Sequence, residues 1–173
     1  MSATTVTGVT RTPTTATAET SPGPRAVIPA PPRGRRTRDD DPRWNELVDA
    51  VRESGRYATR AEAERVTRIV LSALGGHVTG DERVDLARAL PGRAARVIAS
   101  QIPVTRRLTA AEFVDSVAAR TEGATPATAR WDVGSVLGVL PALVGDDLVT
   151  RVLAQLPPGY ALLFGRAELS PAG

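Results

Sequence analysis

Residues 46–98 recur, imperfectly and without a gap, as residues 112–164. At this offset of 66, Glu46, Val48, Asp49 and Val51 fall on Glu112, Val114, Asp115 and Val117, while Ala58 and Thr59 fall on Ala124 and Thr125. The 53 aligned positions hold 16 identities, and several mismatches exchange one apolar residue for another, as Leu47 with Phe113 and Ile98 with Phe164. Such a duplication marks one supersecondary unit stacked on a copy of itself, because neither copy can bury its apolar face alone. The offset constrains the architecture and says nothing yet about an activity.

Composition divides the 173 residues near Pro42. Residues 1–42 hold seven of the 14 prolines, and nine of the first 20 residues are threonine. Such a stretch buries too little apolar surface to offset its conformational entropy, so a disordered tail is expected there. Residues 43–168 are expected to form one duplicated helical domain, with copies at about 43–103 and 109–168, followed by a short C-terminal tail at 169–173. A single copy of about 60 residues would bury too little of its surface to be secure, so the pair is expected to fold as one unit with two-fold character.

Helical periodicity runs through both copies. Trp44, Leu47, Val48 and Val51 share one helix face, behind an Asp41-Pro42 start signal, and Phe113, Val114, Val117 and Ala118 repeat it behind Thr109 and Glu112, a capping-box pair. A longer second helix is expected from Thr59, through Ala63, Val66, Val70, Ala73 and Leu74, to a stop at Gly75-Gly76. Its counterpart opens at Thr125-Pro126 and continues through Val133, Val136, Leu137 and Leu140 until Pro141 and Gly145. The third helix starts at Thr79, capped with Glu82, or near Asp146. It ends at Leu90-Pro91 or Leu156-Pro157, because proline disfavours helical conformation in the residue before it. A short amphipathic piece follows each turn, and no strand pattern competes. The fold class is all-α, a compact helical domain of two tandem three-to-four-helix repeats preceded by a disordered tail.

Tandem copies that each end their third helix in a Leu-Pro turn resemble the domain of unknown function 2267 family, which is bacterial. The second copy carries the resemblance best, in Glu112-Phe113-Val114-Asp115-Ser116-Val117 and in Val152-Leu153-Ala154-Gln155-Leu156-Pro157 followed by Tyr160 and Leu163-Phe164. In the first copy Leu86-Ala87-Arg88-Ala89-Leu90-Pro91 corresponds, with Ala89 where the family often has glutamine, and Val97-Ile98-Ala99-Ser100 replaces the aromatic segment. The chain thus resembles a divergent member over residues 44–168. The resemblance implies the helical fold and carries no catalytic residues.

The chemistry available is narrow. There is no cysteine, which excludes disulfides and thiolate metal sites. His77 is the only histidine, so neither a triad nor a histidine metal pair can be assembled, and its place after Gly75-Gly76 reads as a helix-end or loop residue. Asp81-Glu82 and Asp146-Asp147 open helices, where carboxylates complement the helix dipole. Glu46, Asp49, Glu112 and Asp115 recur by symmetry, but the Glu-x-x-His pairs of dimetal bundles are missing. A carboxylate-only enzyme would require Asp49 and Asp115 to converge in a pocket. Gly134 and Gly138 have the spacing of a close helix contact, which would also permit a homodimer. No cofactor, metal or catalytic residue is assigned, and an enzyme is not expected.

All 22 basic residues are arginine, read as a trace of genomic base composition. Residues 44–173 contain 15 arginines and 15 acidic residues, so the net charge of +3 belongs to the first 43 residues. The one basic cluster, Arg33, Arg35, Arg36 and Arg38, could follow a phosphate backbone, though Asp39-Asp40-Asp41 offsets it and the tail holds no aromatic residue to stack on bases. The longest apolar run, 133–145, is 13 residues, short of the roughly 20 that a membrane span needs. A cytoplasmic protein is expected. The leading expectation is a helical module that binds or regulates another protein; the alternative is nucleic-acid association through the arginine cluster.

Overall fold

Asp41 accepts the Trp44 N–H at 3.3 Å and Pro42 takes the first helical position, which starts α1 (Pro42–Gly55). The computed structural model describes Gly8 and residues 41–167, and residues 41–167 lie within one compact unit. The expected disordered tail before Asp41, the arginines at 33, 35, 36 and 38, and the tail at 169–173 lie outside the described residues. Trp44, Leu47, Val48 and Val51 are all buried, as spacings of three and four on a helix require. The helix closes with Arg56 in the left-handed conformation at φ 54°, and the Tyr57 N–H reaches back to the Arg52 carbonyl at 3.0 Å.

The Thr59 hydroxyl accepts the Glu62 N–H and opens α2 (Arg60–His77). Short helices α3 (Gly80–Ala89) and α4 (Gly92–Ala99) follow, separated by the Leu90-Pro91 turn. In the second half come α5 (Ala110–Arg120), α6 (Pro126–Leu137), α7 (Leu140–Val144), α8 (Asp146–Gln155) and α9 (Tyr160–Leu163). α2 and α6 start 66 residues apart, and α3 and α8 both start and end 66 residues apart. The architecture is all-helical, with no strand among the described residues.

Packing is reciprocal. α1 lies against α2 and α6, α5 lies against α6 and α2, and the central helices α2 and α6 lie against each other. α3 meets α8, and there Arg151 donates to Asp85 at 2.9 Å, an ion pair between positions separated by the same 66 residues. The apolar stripes of the seven longest helices feed one continuous core. At one end of it Phe113 sits between His77 and Tyr160, each ring centroid 5.4 Å away, while the Tyr160 hydroxyl donates to the Leu108 carbonyl at 2.9 Å. No described helix is long and apolar enough to cross a membrane.

Three expected boundaries are corrected. α2 does not stop at Gly75-Gly76 but runs through both to His77. A Cβ at residue 75 would lie 3.0 Å from the Ile98 backbone, so glycine there permits the end of α4 to approach α2 rather than ending the helix. His77 is accordingly the helix-end residue of the two readings, the last of α2, and not a loop residue. It is 3% exposed, and its Nδ1 donates to the Ala73 carbonyl at 2.9 Å. Nor do Thr79 and Glu82 form a cap: the Gln155 side chain reaches across from α8, accepting the Thr79 N–H and donating to the Thr79 carbonyl, both at 3.1 Å, and it also donates to Glu82. The counterpart of α2 breaks earlier than expected, at Gly138 and Val139, and resumes as α7 through Pro141.

Candidate functional site

Trp131 is the largest exposed apolar side chain among the described residues, at 57% exposure, and it is nevertheless fixed. Its Nε1–H donates to the Gly55 carbonyl at 3.0 Å, across from α6 to the end of α1. The end of α1 is shaped for this contact. The left-handed turn at Arg56 brings the Tyr57 ring back over Gly55, where a Cβ would stand 2.1 Å from the ring. Beside Trp131, Asp132 accepts the Tyr57 hydroxyl at 2.6 Å. Two polar bonds thus tie the α1–α2 turn to consecutive residues of α6.

Burial pushes the Asp132 carboxyl above its usual range, with the nearby Glu62 charge adding to the effect; the Tyr57 hydroxyl and Arg65 work against it. Tyr57 is held far above the usual phenol range by burial first and by the bond to Asp132 second. The tyrosine therefore remains a neutral donor at any physiological pH, and the pair acts as a clamp rather than a proton relay.

Clefts flank Trp131. One, of about 340 Å³, passes Ser54, Arg130, Gly134 and Ser135. The other, of about 450 Å³, lies between α2 and α6 and the 121–124 turn. Its walls come from corresponding positions of the two halves: Glu62, Arg65 and Val66 on α2, and Thr128, Trp131 and Asp132 on α6, each 66 residues further on. The sequence at these positions has diverged fully, so a cleft between equivalent helices is chemically lopsided. Glu62, Glu122 and Asp132 place three carboxylates around it against Arg65.

Residues 44–163 match the family described as "Uncharacterized conserved protein (DUF2267)". The chain belongs to the DUF2267 family. Among curated proteins no relative matches it. The DUF2267 match covers every helix from Trp44 to the end of α9, and so covers both walls of the cleft.

The carboxylates singled out in the sequence are dispersed over this DUF2267 domain. Asp49 binds Arg60 at 2.7 Å, Asp146 binds Arg166 at 2.6 Å, and Asp115 and Asp147 are exposed. Glu112 completes the expected capping box by accepting the Thr109 N–H at 2.8 Å, and it also takes two bonds from Arg106. Those bonds, Arg106 first and the Thr109 backbone second, hold its pKa down at about 2. No group of three or more His, Asp or Glu residues among those described could hold a metal. Gly134 borders a cleft, and a Cβ there would meet nothing within 4 Å. Sequence reasoning missed Trp131, Tyr57 and Asp132. The available signal was a tryptophan at a helix position whose neighbours at i+2 and i+5, Val133 and Val136, form the buried stripe, which places Trp131 off that face.

Proposed function

We propose that this DUF2267 protein is a non-enzymatic helical module that binds another protein through the surface around Trp131. The observation that carries the reading is an exposed tryptophan immobilised by a hydrogen bond between two clefts. Tryptophan is among the residues most enriched at energetic hot spots of interfaces, and an anchor held rigid in the free protein loses little conformational freedom on binding. The cleft between α2 and α6 presents an indole beside three carboxylates and one arginine. It suits a segment carrying an apolar residue next to a lysine or arginine, whose cation would sit over the indole and face the carboxylates.

The test is capture by the full chain, followed by measurement of the purified partner's affinity for wild type and for Trp131→Ala and Glu62→Gln. The reading predicts at least a tenfold loss for Trp131→Ala and a smaller, salt-dependent loss for Glu62→Gln. A partner that binds both variants as tightly as wild type would remove this surface from the function.

A further inference from the structure

Charge is segregated along the folded part of the chain. Residues 86–111, which hold the end of α3, all of α4 and the loop between the copies, carry five arginines and no acidic residue. Residues 112–147 carry six acidic residues and two arginines. The loop between the copies also holds Ile102, at 86% the most exposed large apolar side chain among the described residues. Its backbone is tied at both ends. Arg83 donates to the Gln101 carbonyl, the Val104 N–H donates to the Gly76 carbonyl at 2.8 Å, and the Leu108 carbonyl accepts the Tyr160 hydroxyl. Pro103 restricts the chain between the first two of these ties. Ile102 is therefore held out in water. On the same loop Arg106 bonds Glu112, while Arg107 is exposed and makes no ion pair among the described residues.

The cleft beside Trp131 is the complement of this loop. It offers an exposed indole and sets Glu62, Glu122 and Asp132 against Arg65. An apolar side chain with a cation near it is what such a cleft takes, and the loop presents both. The two places lie at opposite ends of α2: Glu62, Arg65 and Val66 belong to its first half, while Val104 is tied to Gly76 near its last residue. From Val66 to Gly76 the helix advances about 15 Å, at about 1.5 Å per residue. A loop tied at both ends cannot cross that distance into its own cleft, but it can enter the cleft of another molecule. With 15 arginines and 15 acidic residues in residues 44–173, the folded parts of two copies carry no net charge to hold them apart. Opposite local charges then decide which surfaces meet. Because indole and loop are both fixed in the free chain, little conformational freedom is lost when they pair.

We propose that the loop at residues 101–107 of one copy seats in the Trp131 cleft of a second copy, with Ile102 against the indole and Arg107 facing the carboxylates. This rests on the reading of the Trp131 surface as a docking site and names a second copy of the chain as its occupant. The contact joins two different surfaces, so it can close a reciprocal pair or extend a row of copies, and either assembly contains it.

Because the chain has two tryptophans, the indole region of a ¹⁵N–¹H spectrum holds two side-chain resonances, which Trp131→Phe assigns. The two halves of the contact are separated by using two full-length variants. Labelled Ile102→Ser keeps the cleft and loses the loop's apolar tip, whereas unlabelled Trp131→Ala keeps the loop and loses the indole. The first is titrated with the second up to about 1 mM, where weak contacts still register. The expected result is a saturable shift of the Trp131 resonance while the Trp44 resonance stays still. Adding Ile102→Ser to the unlabelled chain should weaken the response roughly tenfold or more, as loss of an anchor does. Adding Arg107→Gln instead should weaken it less and reduce its dependence on salt. No saturable shift, or an equal shift from the doubly substituted chain, would overturn the pairing. Either failure is distinguishable from failure of the docking surface itself. If a purified foreign partner still loses affinity with Trp131→Ala, the cleft stands as a docking surface and only the second copy is removed as its occupant.

Discussion

The two tryptophans of this domain invert the usual relation between burial and hydrogen bonding. Trp44 is buried and its indole N–H is unpartnered, whereas Trp131 is 57% exposed and its N–H is bonded to Gly55. Both sit on helices that pack into the same core, and both adjoin clefts. What differs is the cause of their order. Trp44 is held by apolar packing, so its position is tied to the stability of the whole domain, while Trp131 is held by a local bond to a helix end and adds little to the core. A side chain whose removal leaves the fold intact is free to serve a partner; one whose removal unfolds the domain serves a ligand only as a wall.

The largest effect should come from testing that distinction directly. Trp44→Ala removes a fully enclosed indole and is expected to destabilise the domain by about 3–5 kcal/mol, the usual range for aromatic-to-alanine changes in a core. Trp131→Ala is expected to cost only about 1 kcal/mol, roughly one hydrogen bond and some partly exposed surface. Urea unfolding of both variants would check this, and comparable losses would end the contrast. Gly55→Ala comes next. The new Cβ would displace the Tyr57 ring, which overpacking places at about 1–3 kcal/mol, offset by about 1 kcal/mol of improved helix propensity. The net loss should be about 0–2 kcal/mol, accompanied by a changed Trp131 indole resonance; an unchanged resonance would show that Tyr57 does not shape the site.

Apolar periodicity identified the core because burial at helical spacing is a property of residues near in sequence. Trp44, Leu47, Val48 and Val51, or Val133, Val136, Leu137 and Leu140, could be placed without knowing what they pack against. The features that escaped are those decided by distant residues. Gly75-Gly76 reads as a helix stop, yet Gly75 lies inside the helix and allows the α4 backbone to come close. Thr79 and Glu82 have capping spacing, yet Gln155, 76 residues away, takes the cap's bonds. The candidate site has the same origin: Tyr57 and Asp132 are 75 residues apart, Gly55 and Trp131 are 76 apart, and neither pair has a local signature. The duplication suggested that equivalent helices would meet, but not that the meeting of α2 and α6 would leave a cleft lined by corresponding residues that differ.

The smallest effect concerns Tyr57 and Asp132, which back the exposed tryptophan. The folded-state pKa of Asp132 is raised above 3.8, mainly by burial, so the folded state holds this proton more tightly than the unfolded chain does. By linkage, its contribution to stability is greatest below 3.8 and declines as pH rises through the raised value. Glu112 has the opposite sign. Its pKa falls from 4.5 to about 2, so its contribution is complete above 4.5 and is lost as pH drops towards 2. The two trends overlap in acid, and Tyr57→Phe separates them. Removing the hydroxyl takes away a bond that lowers the Asp132 pKa, so that carboxyl should titrate higher still while Glu112 stays where it is. At neutral pH the variant should lose about 1 kcal/mol, the usual net worth of one part-buried hydrogen bond, and recover part of it as pH falls and Asp132 takes up its proton. Carboxyl ¹³C titration of wild type and variant, with urea midpoints over the same pH range, would measure both. An Asp132 that titrates at or below 3.8 in the wild type would mean that the Tyr57 bond outweighs burial, and the carboxylate beside Trp131 would then be charged throughout the neutral range.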